Sequence, residues 1–319
     1  MKFVIVGAGA IGAYIGARMA RAGIDVTLFA RGPHLEAMRA RGVRVLAAEG
    51  GFETRPEISA SLDCVAGADV VILGMKAHGL TELAPRIAPH LSPDTIVVST
   101  QNGLPWWFFQ TANDTSATLE RVDPGAHIAR AIEFRRVVGS IVYFATEIVE
   151  PGVVRHIEGN RISLGEPDGS RSERCRMIAK AMTAAGLRAP VTAHLRNEIW
   201  LKIVGSAAFN PISLITGATL ARITGDPAML AVVRAIMDEA VAVAVRSGAE
   251  IPVSLERRIA GAAAVGEHKT SMLQDFEAGR PVELEAIVGA IVELADRYAI
   301  PIPHLRAVYA CARMLAAPR

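Results

Sequence analysis

Six residues near the N-terminus, Gly7-Ala8-Gly9-Ala10-Ile11-Gly12, form a G-x-G-x-x-G directly after a short β-branched run and at the start of an apolar helical segment. In that context glycines can bind phosphate without any charged side chain. Gly7 permits a tight turn, Gly9 lets backbone amides approach a pyrophosphate, and Gly12 lets the helix pack close to the strand. The helix N-terminus beyond the turn favours negative charge. The ligand predicted for Gly7–Gly12, including Ala8, Ala10 and Ile11, is a dinucleotide. The next strand-like run ends in Ala30-Arg31-Gly32, where chains that select NAD usually place an acid for the ribose 2′-hydroxyl. Arg31 suits a 2′-phosphate, to which a guanidinium makes strong charge-assisted hydrogen bonds. The predicted cofactor is NADP(H).

Lys76 and Asn102 each follow a later strand-like run, at the sheet edge where ligands bind. Such positions also attract lysine and asparagine for turn or solvation reasons. In Gln101-Asn102-Gly103 the glycine suggests backbone held close to a neighbour.

A second group lies far along the chain. Lys202, Ser206 and Asn210 are spaced four apart, so on a helix they fall within roughly 80° of one another. An ammonium, a hydroxyl and an amide then form a row in an otherwise apolar segment. Such a stripe is costly unless its groups find partners, although a solvent-facing helix edge reads the same way. Ser271, where a loop enters a short helix, could offer a hydroxyl and a backbone N–H to an anion. Glu283 opens an apolar helix, where complementing the dipole is reason enough for an acid.

The elements that must position these residues fall into two kinds. Buried β-branched runs at residues 2–6, 25–30, 69–74 and 95–100 alternate with helical segments at 11–22 and around 80–91, which implies a parallel sheet with right-handed crossovers. A less regular stretch, 104–129, carries Trp106-Trp107. Runs at 137–148 and 153–164 are joined by a Glu150-Pro151-Gly152 turn. From Thr192 the apolar spacing becomes helical, with candidate helices at 194–215, 227–247, 253–265, 283–298 and 303–315. The expected class is α/β, a Rossmann-type doubly wound sheet in residues 1–191 followed by an all-α domain in 192–319. Substrate chemistry is expected at a cleft between the two.

Composition narrows the partners. Of 319 residues, 51% are hydrophobic and the formal net charge is +2, which gives no electrostatic reason to expect nucleic acid or an anionic membrane. Arg135-Arg136 and Arg257-Arg258 read as solvated faces. Cys64, Cys175 and Cys311 are scattered and odd in number, so neither a disulfide framework nor a metal site is expected, and a reducing cytoplasm is. The apolar run 3–20 contains glycines and Arg18, unlike a signal peptide. The apolar helices could bury a homodimer face, and an intramolecular core explains the same spacing.

Together Gly7–Gly12, Arg31, Met75-Lys76, Gln101-Asn102-Gly103, Lys202 with Asn210-Pro211, and Ser271-Met272-Leu273-Gln274-Asp275 followed by Glu283 resemble the ketopantoate reductase (2-dehydropantoate 2-reductase) family over nearly the whole chain. The resemblance implies NADPH-dependent reduction of a 2-oxo acid to a 2-hydroxy acid in pantothenate biosynthesis. It implies Arg31 and Lys76 at the 2′-phosphate, Asn102 at nicotinamide and substrate, and Lys202 as general acid. Ser206, Asn210, Ser271 and Glu283 would position substrate and lysine. Family members commonly carry asparagine where this chain has Ser206 and His268, and the 104–129 stretch is longer than in compact members. These departures leave a related reductase of another branched or larger 2-oxo acid open. A non-catalytic NADP(H)-binding protein is the reading from a different class.

Overall fold

The computed structural model describes residues 1–48 and 50–317. Four short strands, β1 (Phe3–Val6), β2 (Val26–Phe29), β6 (Val70–Leu73) and β7 (Ile96–Ser99), are almost wholly buried and pair in parallel in the order β7-β6-β1-β2. Continuous apolar runs are what a strand covered on both faces requires. The chain departs from β1 to β2 on one side and to β6 on the other, so the order reverses at β1. The carboxyl ends of β1, β2 and β6 therefore form the edge at which such sheets bind ligands.

Three strands that the hydrophobic pattern did not announce extend this sheet: β3 (Val43–Leu46), β4 (Phe52–Thr54) and β5 (Glu57–Ser59). Each is only three or four residues long and partly exposed, too short to show a period. The long strands β8 (Val137–Glu150) and β9 (Val153–Gly165) form the antiparallel hairpin expected around Glu150-Pro151-Gly152, with Gly152 at φ +84. The complete order is β4-β3-β9-β8-β7-β6-β1-β2-β5.

Helix α1 (Ala10–Arg21) touches β1 and β2 and also β3, β4, β8 and β9, so the sheet curls around it. Its buried face combines the large side chains of Tyr14, Ile15 and Met19 with the small residues Gly12, Ala13, Gly16 and Ala17, and the small ones let strands approach closely. Its far end is tied down by Arg18, whose guanidinium donates to the carbonyls of Ala185 (2.8 Å) and Gly186 (3.2 Å). After β2 comes α2 (Gly32–Arg41), after β6 comes α3 (Ala77–Ile87), and α4 (His127–Ala131) is a single short turn. Helix α5 (Glu173–Ala184) was not expected. Its narrow apolar face consists of Cys175, Ile178, Ala179 and Met182, too modest a stripe to stand out.

The remaining elements are helical: α6 (Leu195–Thr216), α7 (Leu220–Gly225), α8 (Pro227–Arg246), α9 (Leu255–Val265), α10 (Ser271–Glu277), a π-helical turn at Glu285–Gly289, α11 (Ala290–Tyr298) and α12 (Pro303–Ala316). Helix α6 is long and apolar enough to cross a membrane by length and composition, but 72% of its apolar window is buried inside the protein, as in a core helix.

The structure divides into two compact units. One comprises Met1–Gln101, Trp106–Thr118 and Gly125–Leu195, and holds the sheet. The other comprises Asn102–Pro105, Leu119–Pro124 and Arg196–Arg319, and is helical. The helical unit thus takes in two short segments from the N-terminal half, and one of them carries Asn102.

Candidate active site

In the helical unit, α6 places Lys202, Ser206 and Asn210 on one face. Asn210 is buried and the other two are half-buried, so the stripe is not a solvated helix edge. Lys202 Nζ donates to Asn102 Oδ1 at 2.6 Å. The same asparagine donates from Nδ2 to Glu283 Oε2 at 3.4 Å, a long hydrogen bond. Three residues separated by 100 and 181 positions in sequence thus form one chain from cation through amide to carboxylate.

Burial pulls the Lys202 ammonium down to about 8; Glu283 opposes that shift and Arg258, a like charge, adds to it. A lysine in this range can both hold and release a proton near neutral pH, which an ordinary surface lysine cannot.

The loop and helix that carry Asn102 and Glu283 are built against each other. Gly103 has φ +86, and a Cβ there would strike the carbonyl of Ala286, while the Leu104 N–H donates to that same carbonyl at 2.9 Å. The neighbour implied by the glycine is therefore the π-helical turn that follows Glu283. That turn is braced by Glu285, whose carboxylate accepts from the Tyr309 hydroxyl at 2.8 Å and meets Arg121 at 3.3 Å. Burial and the Glu285 carboxylate push the Tyr309 phenol up to about 12, so it stays a donor. The helix expected from residue 283 starts at Leu284 and opens with this wider turn, leaving Glu283 just outside it.

In the sheet unit, Gly7 adopts φ +98, and a Cβ on it would lie 2.7 Å from the Met75 nitrogen. A Cβ on Gly12 would overlap the Gly7 carbonyl, whereas one on Gly9 would meet only the Gly74 carbonyl, at 4.0 Å. Gly7 and Gly12 are thus needed for the turn and its packing, and Gly9 leaves open space in front of it. Ala8 is buried beside this opening, and Ala10 and Ile11 begin α1. The helices after β1, β2 and β6 start at Gly9, Arg31 and Lys76, and none of these three caps its helix with a side chain. Cationic residues at helix N-termini oppose the dipole. An anion bound there removes the conflict and satisfies the first-turn N–H groups. The residues present therefore fit a phosphate-bearing dinucleotide. By contrast α5, α7, α8, α9 and α10 are capped by Ser172, Thr219, Asp226, Ser254 and Thr270.

Ser271 lies one residue inside α10 and is exposed; the cap is Thr270. His268 is half-buried near the Gln274 amide, and its carbonyl accepts from Leu220 N–H at 2.9 Å, which fixes the loop before Ser271 to the start of α7. Trp106 and Trp107 are buried, and Trp107 Nε1 donates to Ser99 Oγ at 2.9 Å. They are core residues of the sheet unit.

Sequence reasoning missed Arg258. Only Arg257 of the Arg257-Arg258 doublet is exposed; Arg258 is half-buried with its guanidinium against Gly205 of α6. The available signal was Gly205 itself, a helix-interior glycine one turn from Lys202.

Comparison with known proteins gives matches along the whole chain. Residues 3–169 match the family profile described as ketopantoate reductase PanE/ApbA, and residues 194–316 match its C-terminal profile. The chain is 47% identical to the 2-dehydropantoate 2-reductase of Mesorhizobium japonicum, covering 100% of this chain and 99% of that one. It is 31% identical to the 2-dehydropantoate 2-reductase of Archaeoglobus fulgidus, over 93% and 91%. Among solved structures, a PanE/ApbA family ketopantoate reductase from Ralstonia eutropha superposes with a TM-score of 0.86 at 28% identity, over 99% and 98% of the two chains.

Proposed function

Because this chain belongs to the ketopantoate reductase family, we propose that it reduces 2-dehydropantoate to pantoate with NADPH, Lys202 acting as the general acid. The observation that carries the reading is the Lys202–Asn102–Glu283 chain, with the lysine brought to about 8. Bound NADPH would supply a hydride to the 2-oxo carbon. The Lys202 ammonium stabilises negative charge on the carbonyl oxygen and gives up its proton to it. Asn102 Oδ1 fixes the direction of Nζ, and Glu283 favours the charged form before transfer.

In this reading Gly7–Gly12 hold the pyrophosphate while Arg31 and Lys76 take the 2′-phosphate. Ser206, Asn210 and Ser271 meet the carboxylate and hydroxyl groups of the substrate, and Asn102 serves both nicotinamide and substrate. Residues 1–191 bind cofactor and 192–319 bind substrate, with Asn102 the exception to that division.

The test is NADPH oxidation with a panel of 2-oxo acids. Efficient turnover of 2-dehydropantoate that Lys202→Ala reduces sharply, at unchanged NADPH affinity, supports the proposal; unchanged kcat removes Lys202 from its role. A second reading keeps the chemistry and changes the acid, favoured by the short Ser206 hydroxyl at the centre of the stripe. A poor kcat/KM for 2-dehydropantoate beside a good one for a larger 2-oxo acid selects it. Tight NADPH binding without turnover of any oxo acid would instead mark a non-catalytic binding protein.

A further inference from the structure

The π-helical turn supports the Lys202–Asn102–Glu283 chain at two points. Glu283 stands two residues before it, and the Glu283 carbonyl accepts from the Ile287 N–H at 3.2 Å. The Asn102 loop docks on the same turn, with the Leu104 N–H on the Ala286 carbonyl and Gly103 packed against it. The spacing between Asn102 and Glu283 therefore follows the shape of this one turn. Their hydrogen bond is already long at 3.4 Å, so a small change of shape breaks it.

A π-turn is a rare backbone geometry, and here a carboxylate sits against it. Glu285, the first residue of the turn, folds its side chain back over Gly289. A Cβ at 289 would overlap Glu285 Oε2 and come within 3.3 Å of the Tyr309 hydroxyl. Glycine weakens a helix interior relative to alanine, so Gly289 earns its place by leaving this notch empty. In the notch the Tyr309 hydroxyl, brought by α12, donates to the Glu285 carboxylate, 2.8 Å from each oxygen. Arg121 adds an ion pair at 3.3 Å. Glu293 in α11 holds that arginine's segment in place, accepting from the Glu120 and Arg121 N–H groups at 3.0 and 2.9 Å.

We infer that Tyr309 and Glu285 are positioning residues of the reduction: their hydrogen bond, admitted by Gly289, holds the π-helical turn in the shape that keeps Asn102 between Lys202 and Glu283. The inference rests on the reading of that chain as the proton donor of a 2-oxo-acid reductase. Both residues act through Asn102 and Glu283 rather than on the reacting atoms. When the turn relaxes, Nζ loses its direction and the lysine loses the carboxylate that keeps it charged.

Two variants break the contact by different routes. Tyr309→Phe deletes one hydroxyl and leaves the ring in α12. Gly289→Ala deletes nothing; its methyl displaces the flexible end of Glu285 while introducing the best helix former. Expected for both is a fall of about 10-fold in kcat, the scale of a slightly misplaced catalytic group. The alkaline limb of kcat/KM should move to lower pH, and the KM of NADPH should stay unchanged. Because both variants break one contact, the double variant should lose no more than the larger single loss. Glu285→Gln keeps an acceptor for Tyr309 and should retain most of the rate, whereas Glu285→Ala should match Tyr309→Phe. Amide hydrogen exchange at Leu104 reads the docked loop without any turnover and should quicken in both variants. Losses that multiply in the double variant would overturn the inference, as would unchanged exchange at Leu104. Lowered Tm with kcat and the alkaline limb unmoved would also overturn it, leaving Tyr309 a packing residue and the reductase reading intact. A wild type that reduces no oxo acid, with exchange at Leu104 quickened in both variants, would sink the reductase reading and keep the brace on Asn102.

Discussion

Lys202 is held between a burial that discharges it, a carboxylate that charges it and a guanidinium that discharges it again. A general acid must be protonated to act. Oxo-acid reduction is therefore expected to be level below about pH 8 and to fall about tenfold per pH unit above it. Glu283→Gln removes the group that raises the lysine, so the alkaline limb should move to lower pH. Arg258→Gln removes one that lowers it, so the limb should move up. Profiles of kcat/KM against pH read both shifts, and a limb that Glu283→Gln leaves in place would detach the carboxylate from the lysine. The same depression has a price in stability. With its folded-state pKa below the ordinary lysine value of 10.5, the unfolded chain binds more protons between about pH 8 and 10.5, and stability rises with pH through that window. Lys202→Met should accordingly raise unfolding stability by roughly 1–2 kcal/mol at neutral pH while abolishing reduction, the usual trade at a strained site. Denaturant melts of the two proteins decide it, and a less stable variant would contradict the sign.

The glycine turn and the four buried strands were readable because a parallel strand must be apolar throughout, and because the turn itself demands φ +98 at Gly7 and leaves no room for a Cβ at Gly12 beside the Gly7 carbonyl. The π-helical turn was not readable. Its single extra residue falls in the unbroken apolar run 286–292, where a shift of phase leaves no mark, and its braces come from Arg121 and Tyr309, outside that run. The arginine doublets were legible as charge but not as direction. Arg136 is buried and donates to the Ser92 and Pro93 carbonyls at 2.6 and 2.9 Å, while Arg135 beside it is exposed. Neighbouring residues on a tight turn point different ways, and only the packing partner says which one turns inward. The contact between Gly103 and the Ala286 carbonyl is where the unreadable element meets the readable motif. Gly103→Ala forces a side chain into φ +86, at a strain of about 1–2 kcal/mol, and pushes the Asn102 loop off the π-helical turn. Misplacing a positioned group by about an ångström can cost ~100-fold in rate. A drop in kcat of about 10–100-fold is expected, with Lys202 itself untouched; an unaltered kcat would show that this loop does not set the lysine.

Each of the two units has its own fixed points. In the sheet unit, Glu166 is 4% exposed, and both its oxygens meet Arg174, at 2.6 and 2.5 Å. Arg174 also donates to the Arg135 and Val137 carbonyls at 2.6 and 3.1 Å, which joins the end of β9 and the start of α5 to the start of β8. Removing one partner of a buried pair strands the other charge. Arg174→Ala should therefore destabilise the protein by about 3–5 kcal/mol, measured by denaturant unfolding; a loss under about 1 kcal/mol, typical of a surface pair, would refute the buried reading. In the helical unit the comparable fixed point is the Lys202–Asn102–Glu283 chain. The proposed division of labour makes ligand responses separable by unit, because mutations without shared partners act independently. A ligand that binds only the folded state at 100 times its Kd stabilises by about 2.7 kcal/mol. NADPH should raise the Tm of wild type, Lys202→Ala and Arg258→Gln alike, and should lose much of that effect in Arg31→Ala. If Arg31→Ala retains the full NADPH shift, the 2′-phosphate is held elsewhere. If Arg31→Ala loses equal shifts with NADH and NADPH, Arg31 serves the cofactor without reading its phosphate.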